Sequence, residues 1–288
     1  ADLGYAGQDA PDVSVSNTDN DAAGITVTPT AGLLTSETGS SASFTVQLTS
    51  EPTADVGIPV SSGNTAEGTV APASLTFTPV NWNLPQTITV TGVDDPSVDG
   101  TVAYTVAVEP ATSTDPVYSG MDASDVSVSN SDNDVAGVTV APLAGLITTE
   151  AGGPATFTVR LNSRPSSDVV IPVASNDVTE AVAAPASLTF TAANWNLDQT
   201  VTVTGVDDAV ADGNIAYNVV LAAASSLDPD YSGFDASDVA ASNSDDDAVG
   251  ITVTPLAGLV TSEAGLTATF TIVLGSAPNA AAVSELVK

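Results

Sequence analysis

The stretch "VSVSNSDNDVAGVTV" runs from Val126 to Val140. Apolar and small polar residues alternate as far as Val128, an acidic knot follows at Asp132 and Asp134, and alternation resumes at Val138. A period of two marks a strand with one buried face. A strand therefore ends on a knot of carboxylates, and a new strand begins a few residues later.

The same passage occurs three times. "SNTDNDAAGITVTP" begins at Ser16 and "SNSDDDAVGITVTP" at Ser242, so Asp19, Asp132 and Asp245 are each 113 residues apart. Glu37, Glu150 and Glu263 keep that step, as do Trp82 with Trp195 and Asp94 with Asp207. Self-similarity at a fixed long period is the mark of a tandem array. Two complete repeats follow, 22–134 and 135–247. Residues 1–21 match the tail of a repeat and predict one last strand around Val13 and Val15. Residues 248–288 match the head of one and predict two first strands, around Ile251 and Val253 and around Phe270, Ile272 and Leu274.

Seven short alternating runs fill the first full repeat. They centre on Ile25 and Val27, Phe44 to Leu48, Val56 to Val60, Leu75 and Phe77, Ile88 and Val90, Tyr104 to Val108, and Val126 and Val128. Gly, Pro, Asn and Asp separate them. The pattern predicts an all-β chain of tandem antiparallel immunoglobulin-like β-sandwiches, about seven strands each. In an up-and-down order, alternate loops emerge at one end. Pro59 and Pro172 fall inside the third run, which predicts an edge there.

Composition narrows the function. The chain of 288 residues carries 35 Asp and Glu against three basic residues, for a net charge of −32. Phosphate binding needs Lys and Arg, so nucleic acid is not an expected partner, and an anionic membrane surface would repel the chain. No apolar run is long enough to span a bilayer. With no His and no Cys, Ser-His-Asp and Cys-His catalysis, thiolate metal sites and disulfides are all excluded. No enzyme is expected. The N-terminus lacks the basic and apolar regions of a signal peptide, which reads as a mature product or an excised piece.

The acids recur in loops. Glu37 follows the first run, Glu67 precedes "GTV", Asp94, Asp95 and Asp99 occupy "GVDDPSVDG", and Asp132 and Asp134 follow the last run. The second repeat keeps the set as Glu150, Glu180, Asp207, Asp208, Asp212, Asp245 and Asp247, with Asp246 added. Asp19 and Asp21 in the leading fragment and Glu263 in the trailing one hold equivalent positions. Four separated segments are expected to converge on one end of each sandwich. A set of carboxylate oxygens suits Ca²⁺, a hard cation that takes six to eight oxygens in flexible geometry.

These features resemble the Calx-beta family, the calcium-binding sandwich of sodium–calcium exchangers that also occurs in bacterial surface proteins. The matching residues are the early "TSE" or "TTE", the "GVDD…D" loop, and the terminal "DND" or "DDD" followed closely by Gly. The wording "ASLTFT…NWN…QTVTVTGVDD" is similar to the tandem form in very large bacterial adhesins. The middle acidic loop is less acidic than in exchanger domains, which implies fewer ions or weaker binding.

The resulting expectation is a calcium-rigidified extracellular or cell-surface repeat, a spacer of an adhesin or a subunit of a fibre, with Ca²⁺ locking the joints. Its partners would be neighbouring repeats or identical subunits joined head to tail by strand addition. The alternative is a module whose loops bind carbohydrate or protein, with Trp82 and Trp195 as sugar-stacking candidates; core or edge packing is the plainer reading of both. Asp115, and Asp228 with Asp230, raise a separate loop site. Asp55, Glu109, Asp122 and Asp125 read as solvated surface.

Overall fold

The computed structural model describes residues 3–278. Every regular element among them is a β-strand. By contacts the chain separates into two compact units, residues 1–95 with 100–133 and residues 96–99 with 134–288.

The first unit contains β1 (Ile25–Thr28), β2 (Leu33–Ser36), β3 (Ser41–Leu48), β4 (Val56–Ser62), β5 (Gly68–Ala71), β6 (Ser74–Phe77), β7 (Gln86–Gly92), β8 (Val102–Val108), β9 (Thr112–Ser113) and β10 (Val126–Ser131). The seven expected runs are all strands; β2, β5 and β9 are additional. One sheet has the order β1-β3-β7-β5, and the facing sheet β2-β10-β8-β4-β6, with β9 paired to β4. Period-two patterning explains the two layers: Phe44, Val46 and Leu48 of β3 and Ile88 and Val90 of β7 are buried against Val56, Ile58, Leu75, Phe77, Val106, Val108, Val126 and Val128 of the other sheet. The opposite face of β3 and β7 carries Ser43, Thr45, Thr87 and Thr89, and threonine fits a solvated pleat.

The strand order corrects two expectations. It is not up-and-down, because the chain crosses between sheets after β1 and again after β2. One pair is also parallel, β10 with β2, with Val128 beside Leu33. Nor is β4 an edge strand, since it lies between β8 and β6; at Pro59 one side is outside the ladder. It pairs β6 over Val56–Pro59 and β8 from Val60 onward. The Pro59 carbonyl accepts from Glu109, just past the end of β8. The donor that proline lacks would face that same side, where the ladder has already stopped.

The second unit repeats this plan as β11 (Val138–Ala141), β12 (Leu146–Thr149), β13 (Pro154–Leu161), β14 (Val169–Ser175), β15 (Ala181–Ala184), β16 (Ser187–Phe190), β17 (Gln199–Gly205), β18 (Ile215–Leu221), β19 (Ser225–Ser226) and β20 (Val239–Ser244), with the same two sheet orders. A hairpin of β21 (Ile251–Thr254) and β22 (Thr271–Leu274) follows, and Ile251, Ile272 and Val273 on it are more than half exposed. In this single chain, without the preceding or partner repeat expected to complete it, the segment around Val13 and Val15 is not a strand. Both valines are exposed, and without a neighbouring strand an extended segment has no ladder to join. Residues 279–288 lie outside the described part.

Candidate metal centre

Strand alternation does not stop where the apolar core stops. In β20 the inward positions are Val239, Ala241 and Asn243, and the same phase continues through Asp245 and Asp247, both half-buried. In β12 the inward positions are Leu146 and Thr148, and Glu150 follows in phase, buried. The parallel pairing of β12 with β20 sets Thr149 beside Ser244. Both strands therefore deliver their carboxylates to the same end of the sandwich.

One oxygen from each of Glu150, Asp245 and Asp247 lies within 4.8 Å of the others, and Glu150 also groups with Asp207 and Asp246. A second group gathers Glu180, Asp208 and Asp212. The first unit gathers Glu37 with Asp132, and Glu67 with Asp95; Asp99 and Asp134 occupy the positions of Asp212 and Asp247 one period earlier. Three predicted residues stand apart. Asp19, Asp21 and Glu263 are exposed and belong to no such group among the described residues. Asp94 also lies outside the groups, where its carboxylate accepts from the Asn133 amide at 3.2 Å.

The glutamates are the buried members. Glu37, Glu67, Glu150 and Glu180 are all at most 6% exposed. Backbone donors hold two of them: Asn133 N–H reaches Glu37 Oε2 at 2.9 Å, and Asp246 N–H reaches Glu150 Oε2 at 3.1 Å. Asp245 accepts from the N–H of Asp247 at 2.7 Å and of Gly213 at 2.6 Å, and these bonds hold its pKa below the ordinary aspartate value. The others are pushed the opposite way. Burial, followed by the negative charge of Asp132 and Asp95, raises Glu37 to about 7 despite the opposing Asn133 bond. Glu150 and Glu180 are raised by burial and then by surrounding aspartates, against one stabilising hydrogen bond each. Asp247 is raised by burial and by Asp245 and Asp246, and its Oδ2 is shielded from solvent with no hydrogen-bond partner.

This donor set fits a hard divalent cation. Oxygens on one Ca²⁺ shell, each about 2.3–2.6 Å from the ion, lie at most roughly 5 Å apart, and the grouped oxygens meet that limit. All are carboxylate oxygens, and Asp247 Oδ2 is one that the protein leaves unmatched. A cation would remove the repulsion that raises the glutamates and supply the partner that Asp247 lacks.

The remaining candidates have structural roles. Asp115 and Asp228 belong to no carboxylate group among the described residues, and each accepts from a backbone donor of its own turn. Asp228 accepts from Ser166 N–H at 2.7 Å and Asp230 N–H at 2.9 Å, and Asp115 does the same for Thr53 and Val117. Asp230 contributes its N–H to that turn. Trp82 and Trp195 pack partly buried against the two cores.

Sequence reasoning missed Asn130 and Asn243, each 1% exposed directly beneath the acids. The signal was present, since each is an amide at an inward position of an otherwise apolar alternation.

No protein family matches the chain, and no curated protein matches it. Solved structures do. One is CBD12 from CALX1.2, at 14% identity and a TM-score of 0.31, covering 72% of this chain and 82% of that one. A second is the calcium binding domain CBD12 of CALX1.1, at 15% identity and a TM-score of 0.33 with the same coverage. A third is domains 4 and 5 of the S-layer protein SbsC, at 15% identity and 0.32, covering 65% of this chain and 77% of that one. Each is a similarity of fold alone. No helix among the described residues is long and apolar enough to cross a membrane.

Proposed function

We propose that the chain is a calcium-rigidified structural repeat of an extracellular or cell-surface protein, a spacer of an adhesin or a subunit of a fibre. The observation that carries this reading is the gathering of buried glutamates with aspartates from separate segments, in the same sequence phase in both repeats. A merely solvated acidic surface has no reason to bury its carboxylates, because burying an unmatched charge is costly. Asp245, Asp246 and Asp247 lie in the stretch that leads straight into the next repeat. Ions held there restrict the backbone at that point, which is how a string of domains becomes a stiff one. The partners are neighbouring repeats or identical copies.

Small-angle scattering of the full chain in calcium and in chelator tests this. A longer, stiffer particle in calcium is expected, and Asp132→Asn with Asp134→Asn should reproduce part of the chelated profile. Profiles identical with and without calcium, measured where calcium is shown to bind, would refute a rigidifying role.

A further inference from the structure

Each sandwich holds one buried amide under its acidic end. Asn243 Nδ2 donates to Glu180 Oε2 at 3.4 Å and to the Val206 carbonyl at 3.1 Å, while its Oδ1 accepts from Thr148 Oγ1 at 2.9 Å. Thr148, fully buried, also meets the Tyr217 hydroxyl at 3.0 Å. The first repeat builds the same arrangement independently. Asn130 Nδ2 reaches Glu67 Oε2 at 3.3 Å and the Val93 carbonyl at 3.1 Å, and Thr35 Oγ1 donates to Asn130 Oδ1 at 2.9 Å.

The partners of that amide are not arbitrary. Glu180 is the buried member of one carboxylate group. Val206 is the residue before Asp207 and Asp208, and its N–H also holds the Glu180 carbonyl at 2.9 Å. Thr148 lies two residues before Glu150, the buried member of the other group, and Asn243 lies two before Asp245. One side chain thus fastens the roots of all four acid-bearing segments. The fit is tight on the far side as well. A Cβ on Gly205 would lie 2.5 Å from Asn243 Oδ1, and one on Gly92 would lie 2.6 Å from Asn130 Oδ1.

We infer that Asn243 and Asn130 are positioning residues for the cation. Each orients the buried glutamate it bonds and ties the two carboxylate groups of its domain into one preorganised receptor for a hard divalent ion. This rests on the calcium reading above and extends it to residues that offer the ion no ligand. Partners that orient ligands typically change metal affinity by about 10–100-fold.

The test is calcium titration of the full chain by calorimetry, with melting in chelator measured in parallel. Thr35→Val with Thr148→Val deletes one hydroxyl per domain at nearly constant shape, and Asn130→Ala with Asn243→Ala deletes the amide. Both pairs are expected to weaken every tight calcium by about tenfold or more. Thr35→Ser with Thr148→Ser keeps the hydroxyl and is expected to stay within about twofold of the parent. Should the alanine pair fail to fold, the Val and Ser pairs still decide the matter. A folded Val pair that melts lower in chelator but binds calcium with parental affinity would show a purely structural amide and overturn the inference. A parent chain that binds no calcium would overturn the metal reading, and this inference with it.

Discussion

Calcium removal should be the largest single perturbation available to this protein, and its size can be worked out for the second repeat. That domain offers two groups that share no residue, Glu150 with Asp245 and Asp247, and Glu180 with Asp208 and Asp212. An ion that binds only the folded state adds about 2.7 kcal/mol at a hundredfold excess over its Kd, so two ions add about 5.4 kcal/mol. A repeat of 113 residues has an unfolding entropy of about 0.24 kcal/mol/K, from roughly 2.1 cal/mol/K per residue. The ratio is a fall in Tm of about 20 °C on chelation. Scanning calorimetry of the full chain in calcium, in chelator, and in chelator with magnesium at matched ionic strength reads it directly. Magnesium should recover little, because it holds its waters and demands a tight octahedron. Equal Tm values in calcium and chelator would refute the reasoning. So would equal rescue by magnesium or sodium chloride, since screening alone would then account for the effect.

Four further outcomes are expected. Glu37 titrates at about 7 in the fold against an ordinary 4.5, so the native state holds the extra proton between those values and stability in chelator should fall as pH rises through that window; melts at pH 5 and 7.5 check this, and calcium should flatten the slope. Gly205→Ala forces a Cβ against Asn243 Oδ1 and the Thr149 carbonyl, whereas a Cβ on Gly250 meets nothing within 4 Å; the first should lower both Tm and calcium affinity and the second neither. Asp228→Ala leaves the Ser166 and Asp230 N–H groups without their acceptor, so Tm should drop by several degrees while calorimetric calcium affinity stays parental. If copies exchange strands, residues 13–18 repeat Val126–Ser131 and residues 259–262 repeat Leu33–Ser36, so Val15 of one copy should sit beside Leu259 of another as Val128 does beside Leu33; mixing Val15→Cys with Leu259→Cys in this cysteine-free chain should give an oxidised heterodimer on a denaturing gel, and its absence would sink strand donation.

The legible and illegible parts of this structure differ for a physical reason. Runs such as Phe44, Val46 and Leu48 announce themselves because burial repeats every second residue. β2 and β5 do not, since their inward sets are mixed or small: Leu33 with Thr35, and Gly68 with Val70. Strand order was equally out of reach. Nothing in the loops shows that β1 pairs β3 while β2 joins the other sheet, because that choice rests on contacts far apart in sequence. Asp115 shows the opposite hazard. An acid in a loop looks like a ligand until its neighbours are seen: Asp115 accepts from the Thr53 and Val117 backbone and joins no carboxylate group among the described residues.

The acidic end was legible in residue type but not in support. Glu37, Glu67, Glu150 and Glu180 could be picked by period and residue type. Asn130 and Asn243 could not be, as long as strand and site were treated as separate patterns. They are one pattern. From Val239 to Asp247, and from Leu146 to Glu150, a single alternation runs from valine and leucine through threonine and asparagine into carboxylates. Uncharged amide and hydroxyl groups stand between apolar core and acids, where they can satisfy Glu180 without adding charge. An inward carboxylate placed directly on the core would lack such a partner and pay the full cost of desolvation. Thr148 and Asn243 thus form an uncharged layer between core and acids, and Asp247 Oδ2, beyond that layer, is shielded from solvent with no hydrogen-bond partner.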